Sequence, residues 1–312
     1  MSARLLITPT ASYEEWKAKR AELSRTAVTA SEIAIVLGIS PWGSAFNLYH
    51  LKRGTITDDF EDNAMSLGRH LEPWIADRWA EDHPEFGVDI TGLWQSEDRP
   101  WQMATPDRYL WGLAAGERDW RKHDSLLEIK SSAGYEGWGE DGTDEIPAHI
   151  RAQVLWQLDT LGLTKGHVTC WFKHTDQRRD YVIAYDEADV DLMRCEAHSF
   201  LEAVKHGDPP PIDASAATGH ALMKLWPTVE DHEAIVPAGL RRRYHAALVA
   251  QKKAKERVKR AENEIRARIG NAKTVLDPTG EKVATRSKYE VREHVRAAYT
   301  VDKLVPPRAK KG

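Results

Sequence analysis

The fold turns on Ser125-Leu126-Leu127-Glu128-Ile129-Lys130-Ser131-Ser132. Leu126, Leu127 and Ile129 form a short apolar run that reads as a buried strand over Leu126–Lys130. Glu128 and Lys130 stand two residues apart, and strand side chains alternate between faces, so the acid and the amine point the same way. Burying two charges on a sheet is costly unless they pair or coordinate something, so this strand is a candidate site. Upstream lies Thr105-Pro106-Asp107, which brings a second carboxylate if the intervening segment folds back as a hairpin. Two hard oxygen donors and one ammonium suit Mg²⁺, with Mn²⁺ as a substitute, and an activated water.

Working outward, Pro147 starts a helix that runs through Leu161 and stops at Gly162. Gln153 and Gln157 are four apart and share one face of it, where their amides either contact phosphate or a base or cap polar groups of the core. Met65, Leu67, Leu71, Ile75 and Trp79 repeat at helical spacing over 64–83, and Glu72 lies among them. Glu72 is either a ligand or a surface partner of Arg69 or Arg78. Thr29 followed by Glu32 is a capping box, so a helix begins near Ala30 and ends at Gly38. Its first turn offers N–H groups and the Ser31 hydroxyl to an anion, with Arg25 just upstream, unless the cap is an ordinary one.

A pair of strands over 167–174 and 179–185 leads to a helix from Glu187 to about His206, and Gly207-Asp208-Pro209-Pro210-Pro211 then breaks the chain. The expected organisation is a first domain over 1–207, a linker and short helix over 208–239, and a basic appendage over 240–312. That appendage reads as one long helix from Leu240 to Ile269, a hairpin of 274–276 with 282–285 around Asp277-Pro278-Thr279-Gly280, and a flexible tail.

Charge separates these regions more than the net −4 suggests: residues 1–239 carry 23 Lys and Arg against 40 Asp and Glu, and residues 240–312 carry 21 against 8. The basic end suits DNA, or it is simply a solvated helix. The 2 Cys residues, Cys170 and Cys195, encode neither a disulfide framework nor a zinc or iron–sulfur site, which fits a reducing cytoplasm. No leader-like segment or long apolar run is evident, so no membrane association is expected. Most of the 12 Trp residues read as core anchors.

Five stretches in one order carry a resemblance: Val28-Thr29-Ala30-Ser31-Glu32-Ile33, Leu67-Gly68-Arg69-His70-Leu71-Glu72-Pro73, Thr105-Pro106-Asp107, Leu127-Glu128-Ile129-Lys130 and Gln153-Val154-Leu155-Trp156-Gln157-Leu158. Together they resemble the YqaJ-type viral recombinases, relatives of phage lambda exonuclease within the PD-(D/E)XK nuclease superfamily. The resemblance implies an α/β fold with a restriction-endonuclease-like core, a central mixed sheet flanked by helices, here followed by the long helix and small hairpin. It implies Mg²⁺-dependent digestion of double-stranded DNA ends from the 5′ side in a bacterial host. It also implies a homo-oligomer, as a trimeric ring, and a partner single-strand annealing protein.

Carried over by residue, the resemblance gives Asp107, Glu128 and the Ile129 carbonyl as metal ligands, with Glu72 completing or orienting the shell. Lys130 would position the attacking water and help deprotonate it, and Gln153 would contact the scissile region. Arg25 and Ser31 would receive the terminal 5′ phosphate, with Gln157 a further candidate for contacting the DNA. The Arg25-to-Ser31 spacing is one residue shorter than in the lambda-type pattern, which favours Ser31 over Arg25. Two readings stand beside this one: an endonuclease on the same fold, and a DNA-binding or scaffold protein whose chemistry has lapsed.

Overall fold

The central strand of the computed structural model, which describes residues 3–57, 63–112 and 124–288, is β7 (Ser125–Ser132). It lies in the middle of a five-stranded sheet of order β3-β6-β7-β8-β9, with β3 Phe86–Ile90, β6 Arg108–Gly112, β8 Lys165–Phe172 and β9 Gln177–Ala184. β7 pairs antiparallel with β6 and parallel with β8, and all other pairings in this sheet are antiparallel. A parallel neighbour requires a crossover, and α5 (Ala148–Leu161) supplies it. The helix stops where expected, at Gly162, whose φ of 70° suits a residue without a Cβ.

Alternation along β7 divides its side chains between two cores. Leu126 joins Val154, Leu155, Leu158 and Val168 beneath α5, with α2 (Ala30–Val36) and α6 (Glu187–His206) packed on the same side. Leu127 and Ile129 face the other way, against Ile75, Ala76 and Trp79 of α4 (Asn63–Asp82). Glu128 and Lys130 therefore share the α5 face with Leu126. Pro73 sits inside α4 without ending it.

A second sheet of order β1-β4-β5-β2 delivers the upstream acid. It consists of β1 (Ala3–Ile7), β2 (Val28–Thr29), β4 (Leu93–Ser96) and β5 (Gln102–Ala104), with β2 parallel to β5. β5 ends at Ala104, and the chain passes through Thr105 and Pro106 to Asp107 before entering β6. Strand β1, which extends β4 by antiparallel pairing, was not expected from the sequence. It is followed by the opening helix α1 (Tyr13–Leu23).

The domain boundary differs from expectation. The chain divides into Met1–Pro227 and Thr228–Gly312, so the first unit ends 20 residues beyond 207. The reason is α7 (Ala216–Leu225), which lies against α3 (Ala45–Lys52) instead of hanging in a linker. Ala221 is buried with Phe46 and Ile56, and Thr218 Oγ1 lies 2.8 Å from Ser44 Oγ. The second unit contains α8 (Ala238–Ile269), none of whose residues is buried, and the hairpin β10 (Thr274–Leu276) with β11 (Lys282–Thr285). Residues 58–62 and 113–123 and the expected C-terminal tail lie outside the described residues.

Candidate active site

Glu128 is buried on β7, and both of its carboxylate oxygens are engaged. The Lys130 ammonium donates to Oε1, as does Gln153 Nε2 at 2.6 Å. Gln157 Nε2 donates to Oε2 at 2.8 Å, and Lys130 Nζ also reaches Gln153 Oε1 at 3.2 Å. The two glutamines sit one turn apart on α5 and descend into the site in order, Gln157 being fully buried and also 3.5 Å from the Thr105 carbonyl. Of the two sequence readings for these amides, the structure shows the one in which they satisfy a buried polar group. Gln157 thus lies beneath Glu128 and away from any surface that a phosphate could reach.

Asp107 enters from the second sheet, and its Oδ2 accepts the Ile129 N–H at 2.7 Å. Ile129 meets the site through its backbone, because its side chain faces α4. Glu72 is directed to the same corner, yet its Oε1 accepts from Arg108 at 2.8 Å, and Arg108 also donates to the Asp107 carbonyl at 2.6 Å. Arg78, one of the two partners the sequence offered, pairs with Glu81. Arg108 was missed from sequence, since its bond to Glu72 spans 36 residues and no local spacing encodes it.

These charges act on one another. Burial pushes the Asp107 carboxyl well above the usual carboxylate range, and the Glu128 and Glu72 carboxylates push it further. Burial pulls the Lys130 ammonium down most strongly, but Glu128 and Asp107 together outweigh it and hold the group above its ordinary value. As placed, Lys130 donates to Glu128 and to Gln153.

Among the described residues no three His, Cys, Asp or Glu side chains form a ready cage for a metal ion. The donor set nevertheless fits a hard divalent cation. Asp107 and Glu128 are crowded carboxylates whose repulsion such an ion relieves, and their oxygens are the ligands that Mg²⁺ prefers. Glu72, tied to Arg108, stands beside this pair.

The expected phosphate pocket is built differently from its sequence reading. Thr29 caps α2, and its N–H donates to Glu32 Oε2 at 2.9 Å, completing the capping box. Ser31 Oγ lies 3.2 Å from Thr29 Oγ1 and accepts from Arg20, not Arg25, at 2.9 Å. Arg25 lies in a one-turn 3-10 helix with its guanidinium toward Gly54. Lys52 is buried beneath this corner and donates to Glu32 and to the Ser24 and Ala27 carbonyls at 2.6–2.9 Å. Arg20 and Lys52 were both absent from the sequence reading.

Residues 15–164 match the family model described as the YqaJ-like viral recombinase domain. A Bacillus subtilis (strain 168) protein described as uncharacterized protein YqaJ is 23% identical over 279 residues, covering 84% of this chain and 79% of its own. The crystal structure of an alkaline exonuclease from Laribacter hongkongensis is similar at 20% identity and a TM-score of 0.48, over 62% of this chain and 94% of that one. That of a phage related exonuclease from Haemophilus somnus 129PT is similar at 10% identity and a TM-score of 0.43, over 60% and 96%. Across residues 15–164 the chain is thus similar to the YqaJ-like viral recombinase domain.

Proposed function

We propose that this protein is a Mg²⁺-dependent deoxyribonuclease that digests duplex DNA from a 5′ end and feeds a recombination reaction completed by a single-strand annealing protein. The observation that carries the reading is the convergence of Glu128, Lys130, Gln153 and Asp107 from β7, α5 and the β5–β6 turn onto one corner. Burying a carboxylate beside a second acid is costly, and such a pair marks a candidate for metal-assisted chemistry. The similarity of residues 15–164 to the recombinase domain supports DNA as the substrate.

In this reading Asp107 and Glu128, with the Ile129 carbonyl, hold Mg²⁺. Once bound, the ion supplies Lewis acidity to the phosphate and lowers the pKa of a water. Lys130 orients that water and steadies the charge that develops on the phosphate oxygens. Gln153, bonded to both Glu128 and Lys130, keeps the two in register. Ser31 and Arg20 would receive the 5′ phosphate, Arg20 bringing the charge that Arg25 was expected to bring. A homo-oligomeric ring in the cytoplasm of a bacterial host completes the proposal.

The test is digestion of a linear 5′-phosphorylated duplex and of covalently closed circular DNA with Mg²⁺. Release of nucleotides from the 5′ ends with intact circles is expected. Cut circles would favour the endonuclease alternative, and untouched linear DNA would leave a binding protein.

A further inference from the structure

Trp42 is 77% exposed, an unusual position for the largest apolar side chain. The turn that carries it is fixed. Ser40 Oγ accepts the N–H groups of Trp42 at 3.3 Å and of Gly43 at 3.1 Å. A Cβ at Gly43 would lie 2.5 Å from Ile35 Cδ1, so the turn packs closely against the Ile35 side chain of α2. The indole stands edge-on to His149, with ring centroids 5.0 Å apart and an interplanar angle of 90°.

His149 gives this pair its meaning. It lies in the first turn of α5, four residues before Gln153 and eight before Gln157, so the three occupy one helical face. Gln157 is at the bottom of that ladder, Gln153 touches Glu128 and Lys130, and His149 is at the top. Burial and then the Lys130 charge hold its imidazole below the usual histidine range, which places the ring within the field of the site.

We infer that Trp42 and His149 form an aromatic ledge at the mouth of the site, on which a nucleobase of the strand entering it stacks. This rests on the nuclease reading. An aromatic face suits an enzyme that must process any sequence, because every base has a π-face and stacking is sequence-tolerant. The rigid turn supplies the ledge already ordered, so little conformational entropy is lost when a base settles on it. Trp42 is a positioning residue: it holds the nucleotide and leaves the chemistry to Glu128, Asp107 and Lys130.

The test uses the full chain and a 5′-phosphorylated duplex carrying 2-aminopurine near the 5′ end, with Ca²⁺ replacing Mg²⁺ so that binding is read without cleavage. The wild type should quench the 2-aminopurine on binding. Trp42→Ala and Trp42→Gln should lose the quench and bind about tenfold more weakly, which corresponds to about 1.4 kcal/mol, and Trp42→Phe should restore most of both. In Mg²⁺ the loss should fall on KM more than on kcat. If Trp42→Ala and Trp42→Gln quench and bind like a wild type that cuts DNA, the ledge is wrong and the nuclease reading stands. If the wild type neither binds nor cuts the duplex, both are wrong.

Discussion

Gln157 Nε2 lies 2.8 Å from Glu128 Oε2, and neither side chain has appreciable contact with solvent. This bond fixes the inner oxygen of the central carboxylate and leaves the outer one to Lys130 and Gln153. Gln157→Leu should therefore cost about 1–3 kcal/mol of stability, the penalty for a buried acceptor without its donor. It should also lower cleavage by letting Glu128 rotate. Chemical denaturation and a nuclease assay on the same preparation check both, and an unchanged midpoint would show that the bond contributes nothing.

Lys130→Met keeps the stem and removes the charge. DNA binding should persist while cleavage falls about 100- to 1,000-fold, the range found when one preorganised donor to a developing oxyanion is lost. A variant that binds and cuts normally would remove Lys130 from the mechanism.

Asp107 links the metal to pH. Its carboxyl is held above the usual range, by burial first and then by Glu128 and Glu72, so the metal-free fold favours the protonated form. That stabilising contribution is complete below the ordinary carboxylate value and is lost as pH rises through the elevated one. A divalent ion needs the deprotonated form, so Mg²⁺ should stabilise the protein more at pH 8 than at pH 5, and stripping it with EDTA should matter most at the higher pH. Thermal melts with and without Mg²⁺ at the two pH values measure this. Equal shifts, or shifts that also survive in Asp107→Asn, would place the ion elsewhere.

The strand β7 was legible because Leu126, Leu127 and Ile129 make an apolar run, and period-2 alternation then set Glu128 beside Lys130. The helix Glu187–His206 and the hairpin strands 274–276 and 282–285 were equally legible, because Asp186, Gly207 and the Asp277–Gly280 turn mark their ends. What escaped was long-range. β1 pairs with β4 some 90 residues away, and α7 docks on α3 through Ala221, a residue with no patterning signal of its own. In the site, Lys130, Gln153 and Gln157 bond to Glu128, while Arg108, Arg20 and Lys52 are defined by partners 36, 11 and 20–28 residues distant. No spacing rule reaches that far.

Helix α8 carries 11 Lys and Arg against 3 Glu. Lys252, Lys255, Lys259 and Arg266 recur at helical spacing and share one face. If that face contacts the DNA backbone, changing all four to Gln should reduce the salt dependence of binding, with a slope of log K against log salt shallower by about 3 to 4. Titrations across a salt series read this directly, and an unchanged slope would assign the helix to assembly.

The central claim is that Asp107, Glu128 and Lys130 together make a Mg²⁺-dependent site for DNA ends. Its most direct measurement is time-resolved digestion of a duplex labelled on each strand and bearing one 5′ phosphate, with Mg²⁺ or EDTA, by the wild type and by Glu128→Gln. The account predicts nucleotides released from the 5′-phosphorylated strand by the wild type in Mg²⁺ alone. Digestion that proceeds in EDTA, or that survives in Glu128→Gln, would contradict it.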